Sequence, residues 1–363
     1  MEYVQERVAT LHAFDGPTPP APTDRAAVVV PMTERDHGSL AAEGVFSALK
    51  TVDPERVVVA IRAAPERVGE VADWLDGFDL PLVPLWCDGP RLADLLADAG
   101  LDGERGKGRD VWLALGVASA CEYVVVHDAD ATTYSPAHVP RLLFPLREGF
   151  GFAKGYYARV ENDRLYGRLF RLFYEPLVRA LADATDASIL AYLGAFRYAL
   201  AGEFAATRDV VRSLRVQRGW GLEVGTLGDA FDAAGFDGTA QVDLGRHEHD
   251  HRAVSGPTGL STMSRDVGRA LLQVVEEHGV SPDYVTLPER YRETVEAFVR
   301  GYAADAAFNG LAYDPAEERG QVREYADAIA PPESDPRLPA WEDAPLSAAD
   351  VREAAIADLE GIR

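Results

Sequence analysis

The chain has 363 residues, of which 47% are hydrophobic, and its 59 acidic residues outnumber 36 basic ones to give a formal charge of −23. This length suits one large or two ordinary domains, and the charge disfavours nucleic acid and anionic membranes as partners. Only three of the basic residues are lysines, and such an acidic, lysine-poor composition resembles that of proteins from salt-accumulating organisms. A genomic base composition that favours arginine is the alternative.

Cysteine usage and hydropathy predict the compartment. Cys87 and Cys121 lie beside apolar segments and form no CxxC pattern, which is typical of buried thiols in a reducing environment. The first residues lack the basic and apolar regions of a signal peptide, and no segment stays apolar for about 18 residues. We therefore expect a soluble, cytoplasmic protein with no membrane span.

Strands and helices alternate in the first part of the chain. After a proline-rich lead over 1–26, the run AAVVVPMTE predicts a strand from Ala27 to Pro31. The stretches ERVVVAIRA, LPLVPLW and EYVVVH predict three more strands, with helical segments between them. This alternation indicates an α/β fold with a Rossmann-like, mostly parallel sheet flanked by helices.

Beyond residue 140, glycines separate shorter elements, and we place a soft boundary near residue 205. We expect the first domain over 27–205 and a more helical second part over 206–330, which continues the sheet before it supplies its own helices. A tail over 331–363, rich in Pro, Asp and Glu, ends in a helix that Ser347 and Asp350 announce as capping-box residues.

Two carboxylates follow the fourth strand in the stretch VVVHDADATTY. The branched apolar run fits a parallel strand buried on both faces, so Asp128 and Asp130 emerge at its carboxyl end, where open α/β sheets bind ligands. A hard divalent cation with oxygen ligands would relieve the repulsion between the two carboxylates. The alternative is a plain turn, in which Asp is common because of its local hydrogen bonds.

The turn GERGKGRD places Gly106, Lys107 and Gly108 just ahead of a helix. Backbone N–H groups, a helix N-terminus and an ammonium group converge there, and this combination favours phosphate oxygens. The turn does not match the P-loop pattern, so an ordinary surface turn is the alternative.

Three histidines alternate with other residues in GRHEHDHRA: His247, His249 and His251. On an extended segment alternate side chains project to one side, so two imidazoles could reach one ion. Two carboxylates with one imidazole suit Mg²⁺ or Mn²⁺ better than zinc. A solvated loop is the alternative.

Two further residues are candidates for substrate contacts. Glu223 lies between glycines in GWGLEVG, where it could orient a sugar hydroxyl; an ordinary glutamate at a helix start is the alternative. Arg168, in LYGRLFRLF, could meet an anionic acceptor, because a guanidinium matches carboxylate and phosphate with two hydrogen bonds.

The order of these motifs resembles one enzyme family. The stretches PMTE, GERGKGRDVW, HDADATTY, KGYYARV, LAGEF, GWGLEVG, QVDL and HEHDH are together similar to glucosyl-3-phosphoglycerate synthases, from about Ala27 to about Arg252. These are retaining glycosyltransferases of the GT-A fold. The resemblance implies transfer of glucose from UDP-glucose to 3-phosphoglycerate, dependence on Mg²⁺ or Mn²⁺, a homodimer and a role in compatible-solute synthesis.

The resemblance also implies roles for individual residues, with 27–205 binding the nucleotide sugar and 206–330 the acceptor. It assigns uridine binding to Pro31, Thr33, Glu34 and Arg62. It assigns contact with the nucleotide or its diphosphate to Gly106 and Lys107. It assigns metal binding to Asp128, Asp130 and His249. It assigns glucose to Glu223 and the acceptor phosphate to Gly167 and Arg168, with His251 as an acceptor contact or an alternative metal ligand. Glu223 and Asp130 are then the catalytic residues.

The acceptor loop departs from the family pattern. Actinobacterial members carry Gly-Arg-Val-Thr where this chain has Gly-Arg-Leu-Phe, so Phe170 stands in place of a hydroxyl. A glycosyltransferase with another donor or acceptor, such as mannosyl-3-phosphoglycerate synthase or a glycerate-using enzyme, therefore stays an alternative. A DxDxT phosphatase with Asp128 as nucleophile and a non-enzymatic nucleotide-sugar sensor are further alternatives.

Overall fold

The computed structural model describes residues 5–248 and 257–362 of the chain. Its strands are β1 (Ala9–Leu11), β2 (Ala26–Thr33), β3 (Arg56–Arg62), β4 (Leu82–Trp86), β5 (Tyr123–Val126), β6 (Phe152–Ala158), β7 (Val160–Glu161), β8 (Arg164–Leu165), β9 (Phe204–Thr207) and β10 (Thr239–Arg246). Its α-helices are α1 (Leu40–Val52), α2 (Pro65–Leu75), α3 (Pro90–Asp98), α4 (Lys107–Ala118), α5 (His138–Arg147), α6 (Glu175–Ala182), α7 (Ser188–Leu193), α8 (Arg208–Ser213), α9 (Leu222–Ala234), α10 (Pro257–Glu277), α11 (Leu287–Asn309), α12 (Pro315–Ala326) and α13 (Ala348–Glu360).

One eight-stranded sheet runs in the order β1-β10-β6-β9-β5-β2-β3-β4. Neighbouring strands are parallel except at β9, which is antiparallel to both β5 and β6. The mostly parallel α/β sheet is thus confirmed, and β2 runs further than predicted, from Ala26 to Thr33. Valines in β2, β3 and β5 are buried, because strands covered on both faces need apolar side chains at nearly every position.

The antiparallel strand β9 determines which residues reach the carboxyl edge of the sheet. Its first residue, Phe204, pairs with Val126 at the end of β5. Gly202 and Glu203, which precede β9, therefore lie beside the residues that follow β5. The beginning of one strand and the ends of its parallel neighbours thus share one edge.

Helices cover both faces of the sheet. Apolar side chains of α1, α2 and α5 form the core on one face, and those of α4, α9 and α10 belong to the core on the other. Within the described residues, no helix is long and apolar enough to cross a membrane.

The segments at both ends pack onto this central unit. Strand β1 pairs in parallel with β10. The Trp341 ring stacks on Trp112 of α4 with centroids 4.2 Å apart, and each indole N–H donates a hydrogen bond to the other segment, at Trp112 O (2.7 Å) and Pro339 O (2.8 Å). Asp358 of α13 accepts a 3.1 Å hydrogen bond from the backbone N–H of Leu92 in α3. The tail therefore packs against helices α3 and α4.

The architecture bears on the predicted boundary near residue 205 and on the predicted capping box near the end of the chain. The soft boundary near residue 205 falls inside β9, and β10 from the second part belongs to the same sheet. Ser347 and Asp350 form the reciprocal hydrogen bonds of a capping box at the start of α13, as predicted.

Candidate active site

Three of the predicted side chains meet at the carboxyl edge of the sheet. Asp128 follows β5, Lys107 is the first residue of α4, and Glu223 lies in the first turn of α9. The Lys107 ammonium lies 2.6 and 2.9 Å from the two carboxylate oxygens of Asp128 and 3.7 Å from Glu223 Oε1. The glycine turn, the paired aspartates and the GWGLEVG segment therefore converge on one largely buried cluster.

Burial and opposite charge set the protonation of this cluster. Burial lowers the pKa of Lys107, but attraction to Asp128 and Glu223 outweighs that effect and raises the pKa above its usual value. Burial raises the pKa of Glu223, and Lys107 and Lys154 oppose the rise. Lys107 is thus a fixed cation at neutral pH, held between the carboxylates of Asp128 and Glu223.

A third carboxylate, Asp36, lies near the paired aspartates. It accepts hydrogen bonds from the Thr33 backbone N–H (2.7 Å) and hydroxyl (3.0 Å). Burial raises the pKa of Asp36, the bonds from Thr33 oppose the rise, and the charges of Asp130 and Asp128 add to it. Crowded carboxylates are the oxygen donors that Mg²⁺ and Mn²⁺ prefer, so the chemistry of Asp128 and Asp130 fits such an ion.

Hydrogen bonds tie the histidine segment to the residues that follow Asp130. The Glu248 carbonyl accepts from the backbone N–H (2.9 Å) and hydroxyl (3.1 Å) of Thr132, and Glu248 N donates to Thr133 Oγ1 (3.1 Å). Glu248 directly precedes His249 in the chain. The two threonines, which the sequence analysis left without a role, therefore fix the position of Glu248.

Of the three predicted histidines, His247 is within the described residues, whereas His249 and His251 lie outside them. His247 is fully buried, stacks on Tyr157 with ring centroids 4.0 Å apart and lies 3.8 Å from Glu203 Oε1. Among residues 5–248 and 257–362, no three His, Cys, Asp or Glu side chains form a metal site together.

Several glycines permit close approach of backbone to the site. A Cβ on Gly108 would lie 1.7 Å from the Gln217 carbonyl oxygen, so this glycine of the GKG turn lets α4 pack against another backbone segment. Gly202 is nearer to the chemistry, because a Cβ there would lie 2.7 Å from Asp128 Oδ2. Sequence reasoning missed Gly202, although it belongs to the LAGEF stretch.

The four residues assigned to uridine lie at the ends of β2 and β3. Pro31 and Thr33 are in β2, and the Glu34 backbone N–H donates to the Arg62 carbonyl at 3.0 Å. The Arg62 guanidinium donates to Asp110 Oδ2 of α4 at 2.7 Å. These contacts join the ends of both strands to the helix that begins at Lys107.

The sequence analysis also missed two buried ionisable side chains. Lys154 in β6 and Glu203 are each only 1% exposed, and Lys154 Nζ donates to the Ala201 carbonyl at 2.5 Å. Burial lowers the pKa of Lys154 to about 8, although Glu223 and Glu203 oppose the shift. Charged residues are rarely fully buried, and such residues cluster at functional sites. The rarity of lysine in this chain was the signal that could have identified Lys154.

The predicted acceptor residues lie between β8 and a π-helical turn over Phe170–Tyr174. Gly167 has a φ of 76°, in the left-handed region that glycine tolerates. The Arg168 guanidinium donates to Glu318 Oε1 (2.9 Å) and Glu317 Oε1 (2.8 Å) of α12. Arg168 is thus paired with two carboxylates that are distant in sequence.

Phe170 and Gly167 share a neighbour, Tyr198. The buried Phe170 ring meets Tyr198 edge-on at 5.1 Å, and a Cβ on Gly167 would lie 3.4 Å from the Tyr198 hydroxyl. Phe170 therefore forms part of an aromatic wall beside the predicted acceptor loop.

Comparisons with known proteins were made against families, sequences and structures. No family model matches the chain. The glucosyl-3-phosphoglycerate synthase of Methanococcoides burtonii is 34% identical over an alignment of 401 positions, which covers 99% of this chain and 98% of that protein. The Mycobacterium tuberculosis glucosyl-3-phosphoglycerate synthase, in a crystal structure with Mn²⁺, UDP-glucose and phosphoglyceric acid, matches with a TM-score of 0.57 and 26% identity over 76% of this chain and 89% of that chain. Its structure with Mg²⁺ and UDP matches with a TM-score of 0.53 and 27% identity over 71% and 80% of the two chains.

These similarities agree with the order of the motifs and with the observed fold. They set aside the interpretation of Asp128 as the nucleophile of a DxDxT phosphatase. Because the M. burtonii relative matches nearly the full length of both proteins, the chain belongs to the glucosyl-3-phosphoglycerate synthase family.

Proposed function

We propose that this chain transfers glucose from UDP-glucose to 3-phosphoglycerate in a reaction that depends on Mg²⁺ or Mn²⁺. Family membership supports the reaction, and the M. tuberculosis structure with Mn²⁺, UDP-glucose and phosphoglyceric acid supports the substrates. In the chain itself, the observation that carries the proposal is the Lys107–Asp128 contact of 2.6 Å beside Glu223. The product, glucosyl-3-phosphoglycerate, suits a pathway of compatible-solute synthesis.

At the donor end, each residue has a task that its position supports. Lys107 and the N-terminus of α4 bind the diphosphate, while the ends of β2 and β3 hold the uridine. Asp128 and Asp130 hold the divalent ion, which stabilises the negative charge that develops on the departing UDP. Glu223 orients a glucose hydroxyl from the first turn of α9.

At the acceptor end, retention requires the acceptor hydroxyl to approach the face that UDP leaves. The acceptor enters from the side of Gly167 and Tyr198, with Arg168 as the phosphate contact that the resemblance implies. The departing UDP oxygen takes the proton of the acceptor hydroxyl, so the reaction needs no glycosidase-like pair of catalytic carboxylates.

A coupled assay in high salt with Mg²⁺ tests this function. UDP-glucose, GDP-glucose or GDP-mannose is supplied against 3-phosphoglycerate or glycerate, and the product is identified by its mass. Product from UDP-glucose and 3-phosphoglycerate is expected. Nucleotide release only with another acceptor would overturn the acceptor assignment and leave the donor site standing.

A second candidate is the same transfer to glycerate. Two observations favour it: Phe170 offers no hydroxyl to a phosphate, and Arg168 is paired with Glu317 and Glu318. The glycerate arm of the assay separates the two acceptors.

We further infer that the protein works as a salt-adapted homodimer in the cytoplasm. Cys87 and Cys121 are free and buried, which suits a reducing compartment. The charge of −23 supports salt adaptation, and the resemblance alone supports the dimer. Light scattering across a series of salt concentrations would test both the homodimer and its adaptation to salt.

A further inference from the structure

We propose that Arg159 binds an anionic oxygen group of the acceptor, together with the hydroxyl of Tyr198. This inference rests on the proposed function, because it adds a contact for the same acceptor. Arg159 immediately follows β6 and therefore lies at the edge of the sheet where Asp128 follows β5.

Among residues 5–248 and 257–362, the side chain of Arg159 makes only long contacts. Its Nη1 lies 3.5 Å from the Tyr198 hydroxyl, its Nη2 lies 3.8 Å from Glu161 Oε1, and the guanidinium carbon is 6.0 Å from the centre of the Tyr166 ring. Its Nε is buried and has no hydrogen-bond partner among the described residues. The side chain is 21% exposed. Because a guanidinium carries five N–H donors, Arg159 has donors left for a ligand.

Two arginines of the next segment have closer partners. Arg168 makes hydrogen bonds of 2.9 and 2.8 Å to the carboxylates of α12, and Arg171 Nε donates to the Tyr166 carbonyl at 2.9 Å. An incoming anion would have to displace carboxylates from Arg168. At Arg159, the described part of the chain offers no carboxylate this close that the anion would have to displace.

The fold brings Arg159 to the predicted acceptor loop and towards the reaction centre. A 3.0 Å backbone hydrogen bond from Tyr166 closes the β7–β8 hairpin onto Arg159, which returns the chain to Gly167. Burial raises the pKa of Tyr198, Arg159 opposes the rise, and the charge of Glu223 adds to it. Tyr198 therefore lies within electrostatic reach of both Arg159 and the glutamate proposed to contact glucose.

The acceptor offers two groups that this arginine can bind. 3-Phosphoglycerate carries a carboxylate at one end and a phosphate at the other, and a guanidinium pairs with either through parallel N–H···O bonds. The shared chemistry is an anionic oxygen pair, and acceptor analogues that lack one group can show which of the two Arg159 binds.

Calorimetric titration of 3-phosphoglycerate into the protein with Mn²⁺ and UDP tests the proposal without turnover. Arg159→Gln is expected to weaken 3-phosphoglycerate binding by about 10- to 100-fold, because charge-assisted hydrogen bonds are lost. Arg159→Lys should restore part of the affinity. Arg164→Gln, on the exposed β8 strand of the same hairpin, removes the same charge and should change nothing.

Analogues identify the group that is bound. If glycerol 1-phosphate, which has no carboxylate, binds equally to the wild type and Arg159→Gln, Arg159 holds the carboxylate. If glycerate, which has no phosphate, binds equally to both proteins, Arg159 holds the phosphate. Either pattern supports the proposal.

Three results would overturn it. Wild-type affinity of Arg159→Gln for 3-phosphoglycerate would refute the role of Arg159 and leave the proposed function intact. Loss of UDP affinity in the same variant would indicate a purely structural role. If the wild type binds UDP but not 3-phosphoglycerate, the proposed acceptor fails, and the inference fails with it.

Discussion

The proposed donor end and the proposed acceptor end of this site are built in different ways. At the donor end, Lys107 contacts Asp128 and Glu223 at 2.6 and 3.7 Å. Asp128 follows a strand of the central sheet, and Lys107 and Glu223 lie in the first turns of helices that flank it. At the acceptor end, Arg159 has contacts of 3.5 and 3.8 Å, and Arg168 is paired with a helix from the second part of the chain. Close contacts hold the proposed donor end in one arrangement, whereas at the proposed acceptor end Arg168 has to give up carboxylate partners and Arg159 keeps donors for a ligand.

The largest effect is expected at the donor end, from Asp130→Ala. Removing one of the two carboxylates proposed to hold the metal should abolish Mn²⁺-dependent UDP binding and lower turnover by more than about 100-fold, because charge on the departing UDP is no longer stabilised. Calorimetry with UDP, with and without Mn²⁺, measures this. Asp186→Ala at an exposed position is the control. Unchanged UDP affinity in Asp130→Ala would show that no metal ion takes part in UDP binding at the proposed donor site.

A smaller but still large effect is expected from Gly202→Ala. The added Cβ would lie 2.7 Å from Asp128 Oδ2, so Asp128 has to move. A displacement of this kind should lower kcat/KM for UDP-glucose by about 10- to 100-fold with little change in Tm. Gly301→Ala is the control, because a Cβ there meets nothing within 4 Å. A fully active Gly202→Ala protein would show that the donor end is less rigid than its contacts indicate.

A moderate effect is expected from Thr133→Val, which removes the 3.1 Å hydrogen bond from Glu248 N but keeps the shape of the side chain. The Mn²⁺ concentration for half-saturation should rise about 10-fold, because residues that orient metal ligands affect affinity on this scale. Electron paramagnetic resonance of free Mn²⁺ measures the affinity without turnover. Thr133→Ser should restore it. Equal Mn²⁺ affinity in the valine variant would show that this bond does not position the histidine segment.

The smallest effect is expected at the acceptor end, from Glu317→Gln. The Glu317 side chain is 58% exposed, and exposed ion pairs contribute little. Releasing Arg168 Nη2 should lower the KM for 3-phosphoglycerate about two- to threefold, in line with the small free energy of such a pair. Glu324→Gln, exposed on the same helix, is the control. An unchanged KM would argue against Arg168 as the phosphate contact.

Local patterns predicted much of the donor end. Asp128 follows an apolar strand and Lys107 begins a helix, so their place at the sheet edge can be read from residues within one or two elements of them. Gly202 could not be placed in this way, because it reaches the edge only through the antiparallel direction of β9.

The acceptor end depends on contacts that local patterns do not encode. Arg168 and Glu318 are 150 residues apart in sequence. Arg159 belongs to the KGYYARV stretch, but its place next to Tyr198 depends on how the β7–β8 hairpin folds back. Such pairings are decided by the packing of distant elements, and the resemblance supplied a role for Arg168 without revealing its carboxylate partners.

The Trp112–Trp341 stack has a consequence for biosynthesis. The two rings are 229 residues apart in sequence, so helix α4 leaves the ribosome long before its cover has been made. Chains are synthesised from the amino terminus, and a nascent chain exposes any apolar surface whose partner comes later. The helix that begins at Lys107 therefore reaches its final packing only late in synthesis, and until then its indole lacks the ring that covers it in the folded protein.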